Sequence, residues 1–340
     1  ISRDDDAYAC VGSHAGVFTC VRICDGSVRF RVDFGSRIET AAGYAPLSDR
    51  LLVGCHDNRL LILNARTGGI LHTHTFANAI KTGVVVIRTS PQSYHEFGCV
   101  GSHDGTLYSV DVLTGCIAGS VSCGGPIRAT PTVDPQRARV YVTTLTGDLL
   151  CLGFRSSATS SHSDPTLSCA PVFKVIWTVL WTFKADDRPI FTSPALCSNG
   201  LLVITVSGTA HMVDYSGVEV WRRVLDVPVY SSPVVLHTAT AHECAVFGAH
   251  DGHLRCLAMP HGYLLSSVTT RDGVYAQVAS IESQSERREL FVIAMDGTIL
   301  GYSIGPDGIC HPTGSLMTLP AQVFSSPALV SDANGGNNSS

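Results

Sequence analysis

The sequence predicts an all-β protein, a seven-bladed β-propeller of four-stranded antiparallel blades, and three observations carry that prediction. A short hairpin motif recurs seven times at the period of one blade. Its strands are apolar at both odd and even positions, which a sheet sandwiched between two others requires. Finally, the chain opens with a hairpin that lacks an inner strand and closes with an inner strand that lacks a hairpin, so the two ends complete one blade.

The motif is clearest at residues 100–115, VGSHDGTLYSVDVLTG: an apolar strand, a tight turn at Asp104-Gly105, a second strand rich in β-formers, and another turn at Thr114-Gly115. With Gly105 as the anchor, the same register ends at Gly16, Asn58, Gly147, Gly208, Gly252 and Gly297. The anchor is always Gly or Asn, the residues that take a positive φ at little cost. Successive anchors lie 42, 47, 42, 61, 44 and 45 residues apart. That is the spacing of propeller blades, too long for leucine-rich or ankyrin repeats.

Two residues past the anchor stand Phe18, Leu60, Leu107, Leu149, Ala210, Leu254 and Ile299, and five past it Val21, Leu63, Val110, Leu152, Val213, Leu257 and Tyr302. A second turn follows about ten residues after the anchor, as at Asp25-Gly26, Ser216-Gly217 and Asp307-Gly308, and then an outer strand such as 218–224 or 181–184. The inner strand carries Thr-Pro or Ser-Pro at Pro131, Pro194, Pro233 and Pro327; its equivalents without proline are 39–44, 81–87 and 275–281. Proline cannot donate to a ladder and belongs on an edge, which the innermost strand of a blade is. Pairing of the inner strand 322–330 beside the hairpin 8–22 is expected to close the ring and to remove two exposed edges.

Residues 1–331 therefore read as one propeller domain and 332–340 as a disordered tail. The Ser-rich stretch 155–171 reads as a flexible loop between the third and fourth strands of a blade. The connections 88–97, 237–243 and 282–289 after inner strands are also long, and propeller connectivity puts both loop classes on one variable rim.

Charged residues make up 15% and apolar ones 45%, and the formal charge is -5, without the clustered Lys and Arg that nucleic acid demands. No run approaches the length of a membrane-spanning helix, and ISRDDDAYAC has neither the basic nor the apolar region of an export signal. The chain is read as an excised domain, monomeric in isolation, with no nucleic-acid or membrane partner. The 13 Cys include no C-x-x-C, and several fall in register with the repeat: Cys10 and Cys99 six residues before their anchors, Cys20, Cys151 and Cys256 four residues after theirs. They read as free thiols packed as small hydrophobes, which favours a reducing, cytoplasmic location.

Candidate chemistry is sparse. His14, His56, His103 and His250 stand two residues before their anchors. Adjacent sheets are already about 10 Å apart, whereas ligands must lie about 2 Å from one zinc, so the histidines read as turn residues bonding their own hairpins. G-x-S-x-G, H-E-x-x-H, G-x-x-x-x-G-K-[ST] and G-x-G-x-x-G do not occur, so no catalytic, metal or cofactor residue is assigned. Trp181 and Trp221 read as wedges between blades.

The hairpin VGSHDGTLYSVDVLTG with a downstream Ser-Pro inner strand resembles the repeat of quinoprotein-type (PQQ-like) propellers and not WD40, since no Trp-Asp dipeptide occurs. Quinoprotein dehydrogenases of this type have eight blades and a disulfide between adjacent cysteines; this chain has seven copies and no Cys-Cys, so the quinone is not carried over. CGGPIRATPTVDPQRARVYVTTLTGDLLCL and VFSSPALV resemble the C-terminal propellers of the β-alanine-activating enzymes, the acyl-CoA synthetase family member 4 or aminoadipate-semialdehyde dehydrogenase group. The resemblance implies a parent adenylate-forming ligase using ATP, Mg2+ and a phosphopantetheine carrier domain, none of them held by this part.

The reading is a non-catalytic interaction module that presents its variable rim to a protein partner or to the carrier domain of its parent. Candidate rim residues are Tyr94, His95, Glu96, Arg155, His162, Asp164, Glu286, Arg287 and Arg288. The competing reading is a propeller that binds a quinone or other small ligand in its central channel.

Overall fold

The structure, a computed structural model, describes residues 8–22, 25–90, 93–159, 172–237, 243–259, 261–282 and 288–318. Every regular element among them is a strand, arranged in seven antiparallel sheets, one per repeat. The first holds β1 (Tyr8–Gly12), β2 (Val17–Arg22) and β3 (Val28–Asp33); the second β4 (Gly43–Ala45), β5 (Arg50–Gly54), β6 (Arg59–Asn64) and β7 (Ile70–Thr75). The third holds β8 (Val85–Ile87), β9 (Phe97–Gly101), β10 (Thr106–Asp111) and β11 (Ile117–Ser122), and the fourth β12 (Thr132–Asp134), β13 (Arg139–Thr143), β14 (Asp148–Thr159) and β15 (Val172–Lys184). In the fifth are β16 (Ala195–Cys197), β17 (Gly200–Ile204), β18 (Thr209–Asp214) and β19 (Glu219–Val224); in the sixth β20 (Val234–His237), β21 (Glu243–Gly248), β22 (His253–Ala258) and β23 (Tyr263–Thr269). The seventh comprises β24 (Ala279–Glu282), β25 (Arg288–Ile293), β26 (Thr298–Ile304) and β27 (Cys310–Thr318). These are the blades of a seven-bladed propeller. The strand expected at 322–330, which would give the first sheet its fourth member, lies outside the described residues, as does the tail.

All seven anchors adopt the left-handed conformation, from Gly252 and Asn58 at φ 71° to Gly147 and Gly297 at 87°. At Gly208 more than φ is at stake, because a Cβ there would collide with the Val227 carbonyl. The anchor hairpins of the second to seventh blades then set the same pairing, as in Leu60↔Gly54 and Leu107↔Gly101. Four consecutive residues of β6, Leu60 to Leu63, are buried, so both faces of the strand are covered.

Two compact units make up the chain. One contains residues 12–17 and 32–184, hence the second to fourth sheets. Its core lies in layers between neighbouring sheets: Leu52, Leu60, Ile62 and Ile80 meet Val100 and Val110 in one layer, and Phe97, Leu107 and Ile127 meet Val140, Leu150 and Leu152 in the next. The other unit contains the described residues of 1–11, 18–31 and 185–340. There Leu202, Ile204 and Met212 pack on Phe247 and Leu257, and Leu254 and Cys256 on Leu290 and Val292. Trp221 lies over Gly262 of the next sheet, the wedge its position suggests; within its own sheet Trp181 meets Tyr141, ring centroids 6.1 Å apart.

Three expectations need correction. The inner strands are shorter than 39–44, 81–87 and 275–281: ladder pairing begins only at Gly43, Val85 and Ala279. Upstream of it, side-chain hydroxyls replace the ladder. Thr40 donates to the Gly54 carbonyl at 2.9 Å, Thr192 to Ile204 at 2.8 Å, and Thr82 both donates to the Gly101 carbonyl and accepts from its amide. The freed amides turn sideways to the next blade, Gly83 to the Thr130 hydroxyl at 3.0 Å and Ser193 to the Ser232 hydroxyl at 2.9 Å. Proline sits without cost where no ladder amide is required.

Secondly, residues 155–159 are strand, the continuation of β14, paired from Arg155↔Ile176 to Thr159↔Val172; residues 160–171 lie outside the described residues. The partner β15, VFKVIWTVLWTFK, is dense in β-formers and packs on β11. A Cβ at Gly119 would collide with the Val175 carbonyl, and the Trp177 indole N–H donates to the Ser109 hydroxyl at 3.3 Å.

Thirdly, the turn histidines do not bond their own hairpins. Ser13 Oγ and Asp104 Oδ1 already do that, accepting from Val17 N and Thr106 N. The backbone amides of His56, His103 and His250 donate instead to the carbonyls of Arg37, Ala79 and Pro228, in the segments that lead into the inner strands of the same blades.

A bulge recurs where the third strand meets the outer one, at Ile62/Leu63, Ser109/Val110, Cys151/Leu152, Met212/Val213 and Cys256/Leu257. It adds local twist to the exposed outer edge, a device that discourages edge-to-edge pairing. Most of the described cysteines are buried thiols. Burial pushes Cys55, Cys123 and Cys197 up to about 12 and Cys151 to about 11. Cys10 and Cys20 are hydrogen-bonded to one another, and Cys256 to Cys244 and Cys310.

Candidate functional site

Two places are considered as sites, and three of the residues singled out from sequence, Arg155, Tyr94 and His95, fall at the first. In the unit of residues 32–184, Arg155 is exposed on β14 opposite Ile176, and Thr89 and His95 lie against the same extension. The Thr89 and Ser156 hydroxyls are 2.8 Å apart, and the His95 ring sits 3.7 Å from Phe173. Tyr94 is 87% exposed. Arg155, Tyr94 and His95 are thus brought to one surface.

Glu96 is different, being only 3% exposed. Its carboxylate accepts the amides of Leu47 and Ser48, both at 3.0 Å, and the Ser48 hydroxyl at 2.8 Å, and so latches the turn of the preceding blade. Glu243 repeats the device on Ser198, whose amide and hydroxyl it accepts at 2.9 and 2.8 Å. Both glutamates stand nine residues before their anchors, a regularity present in the sequence. Arg288 belongs to the other unit, at the start of β25 opposite Glu282 and Ile304. His162, Asp164, Glu286 and Arg287 lie outside the described residues.

The second place is a single repeat position that sequence reading passed over. The residue just before the repeat position held by Thr40, Thr82, Thr192 and Ser231, and by Ala129 and Ala276 in the other two blades, is Glu39, Lys81 or Arg128 in one unit and Phe191, Tyr230 or Tyr275 in the other. In the first of these units Arg37 forms an ion pair with Glu39, and the His14 ring lies 3.1 Å from Arg37 and 3.6 Å from Glu39. In the second, aromatic rings from three successive blades touch. Phe191 and Tyr230 have centroids 5.5 Å apart, and Tyr230 stacks on Tyr275 at 4.8 Å with 18° between planes. His250, exposed on its hairpin, meets Tyr275 edge-on at 5.6 Å and lies 6.1 Å from Tyr230.

Local rules place these rings. Thr192 and Ser231 are buried and hold the chain by their hydroxyls, which leaves the preceding ring at the blade end, half-buried. The phenol of Tyr275 is pushed up from its ordinary value by burial, then by Tyr230 and the Asp272 carboxylate. A signal was available: Arg128, Phe191 and Tyr230 each stand three residues before the proline of a Thr-Pro or Ser-Pro, as does Phe324, outside the described residues.

Seven repeats of this kind define the chain as a β-propeller of PQQ-like repeats. Solved structures agree on the fold. The computationally designed Ika8 protein aligns with a TM-score of 0.70 at 16% identity, over 96% of this chain and 87% of that one. BamB from Moraxella catarrhalis aligns at 0.51 and 15% identity, over 90% of this chain and 95% of that one. The chain belongs to the family described as the beta-propeller of the beta-alanine-activating enzyme, whose model matches residues 1–334. The beta-alanine-activating enzyme of Drosophila melanogaster is 24% identical over 233 residues, which make up 67% of this chain and 20% of that protein's length. The match thus spans a fifth of the relative.

Proposed function

We propose that this propeller is a non-catalytic interaction module of a multidomain adenylate-forming ligase, and that it docks the carrier domain or an acceptor protein. The observation that carries the reading is the fourth blade. Its β14 and β15 run for 12 and 13 residues where the corresponding strands of the other blades have six to nine. The extra length carries exposed Arg155 and Ile176 on an otherwise regular scaffold, and exposed Tyr94 adjoins His95, which meets Phe173 of the same extension. Loops and extensions that depart from a rigid repeat are where such scaffolds place recognition. Family membership and the fifth of the relative's length that is matched support a larger parent, whose ATP, Mg2+ and phosphopantetheine chemistry would reside outside this domain. The buried free thiols favour a reducing, cytoplasmic setting.

The test is capture of a phosphopantetheinylated carrier domain by the chain and by the double variant R155E/I176E. Both side chains are exposed, so the variant should melt with the parent while losing capture at least ~10-fold. Undiminished capture by a folded double variant would remove this surface from the proposal.

A further inference from the structure

The aromatic residues at the blade ends of the second unit are unaccounted for by the docking surface of the fourth blade. We propose that Phe191, Tyr230, Tyr275 and His250 form a binding site for an organic cation of the alkylammonium class.

The chemistry begins with the rings. An aromatic face is the negative end of a quadrupole and attracts a cation held over it, the more strongly as water is excluded. Here three consecutive blades each contribute a ring at the same repeat position, and all three are half-buried rather than sealed in the core. The rings touch, which holds them in place before any ligand arrives. His250 adds an edge on a neighbouring hairpin.

Charge selects the ligand. The segments leading into the three inner strands, 185–191, 225–230 and 270–275, and the hairpin turns 205–209, 249–253 and 294–298 together hold six carboxylates. These are Asp186, Asp187, Asp226, Asp251, Asp272 and Asp296, against the guanidinium groups of Arg188, Arg271 and, bound to Asp251, Arg255. Asp251 is bound in a fork by Arg255, and Asp186 accepts the Arg188 amide. Burial is the main cause that pushes the Tyr275 phenol up, and the nearby Asp272 carboxylate adds to it. An acidic surround disfavours anions and carboxylate ligands and attracts a positively charged group, whose methyl or methylene carbons the ring faces then cover. An alkylammonium ion combines both properties; a purely apolar ligand would use the rings but gain nothing from the carboxylates.

The group could belong to a free amine or to a methylated lysine side chain of a peptide, and the experiment separates them. The chain is titrated with tetramethylammonium, with a short peptide carrying trimethyl-lysine, and with the neutral tert-butyl isostere of each, following the ring resonances of Tyr230 and Tyr275. Either cation should shift those resonances and bind at least ~5-fold more tightly than its neutral isostere. Response to tetramethylammonium supports a small-molecule site; response to the peptide alone supports the side-chain form. Tyr230→Leu should weaken binding ~10-fold, whereas Tyr230→Phe, which keeps the ring, should stay within ~2-fold. Asp226→Asn tests charge with little risk to folding. Asp226 has φ 54°, and Asn tolerates that region as readily as Asp, so loss of affinity would report the carboxylate. Equal binding of the neutral isosteres, or no response to either cation, would overturn the proposal. Because R155E/I176E leaves these rings untouched, failure of one reading leaves the other standing.

Discussion

Replacing Glu96 by alanine tests the claim that blades are latched by buried carboxylates and not by apolar packing alone. The side chain is 3% exposed and accepts two backbone amides and a hydroxyl from residues 47–48 of the neighbouring blade. Its removal strands two half-buried amides whose bonds went to a carboxylate, the stronger kind of hydrogen bond. The loss also opens a small void. Three bonds at the usual net value for charged acceptors would sum higher, but water reaching the half-buried turn recovers part, so a destabilisation of ~3 kcal/mol is expected. Glu96→Gln keeps the shape and one good acceptor oxygen and should cost only ~1 kcal/mol. Glu243→Ala removes the same device where Ser198 is exposed and water can substitute, at a cost of ~1 kcal/mol. Urea unfolding of the four proteins gives the measurement, read from the midpoints provided that the slopes agree. A Glu96→Ala midpoint within ~0.5 kcal/mol of the parent, or equal damage from Ala and Gln, would refute the latch.

Other outcomes follow from the same geometry. Thr82→Val removes a fully buried hydroxyl that both donates to and accepts from Gly101, and should cost ~1–2 kcal/mol by urea midpoint, whereas an exposed Thr73→Val should be neutral. Gly208→Ala meets both a φ of 83° and the Val227 carbonyl and should exceed the damage of Gly26→Ala, which meets only a φ of 71°, by ~2 kcal/mol or more. Asp251 is held below its ordinary pKa chiefly by the Arg255 hydrogen bond, so it stabilises the fold above about pH 4 and that contribution fades as acid protonates the native carboxylate. Asp251→Asn should therefore lose ~1 kcal/mol at pH 7 and show a correspondingly shallower loss of stability in acid. Cys10→Ala should raise the Cys20 thiol from about 7, since its hydrogen bond with Cys10 is the main cause of the depression; thiolate absorbance against pH would show it.

Much of this protein could be read before folding it. The recurring anchor is a local backbone requirement, met by Gly or Asn whatever surrounds it, and the double-sided burial of β6 is written in consecutive apolar letters. Blade number and strand order follow from those alone. The inner strands were overestimated because propensity does not know that Thr40, Thr82 and Thr192 turn their hydroxyls back on the second strand and end the ladder early. Likewise the Ser-rich 155–159 takes strand form because β15, many residues later, supplies the partner.

The candidate sites divide in the same way. That Phe191, Tyr230 and Tyr275 share an offset is a fact of sequence; that their rings touch at 5.5 and 4.8 Å depends on three blades being set side by side. Glu96 looked like a rim carboxylate and is a buried acceptor, because the turn it serves lies nearly fifty residues upstream. By itself the chain's letters determine what each repeat must do within its own forty-odd residues, since turns and strand faces answer to local sterics and periodicity. Which side chains from different repeats meet, and which are left open to a partner, is decided only when neighbouring sheets pack, because those contacts join residues that no local rule relates.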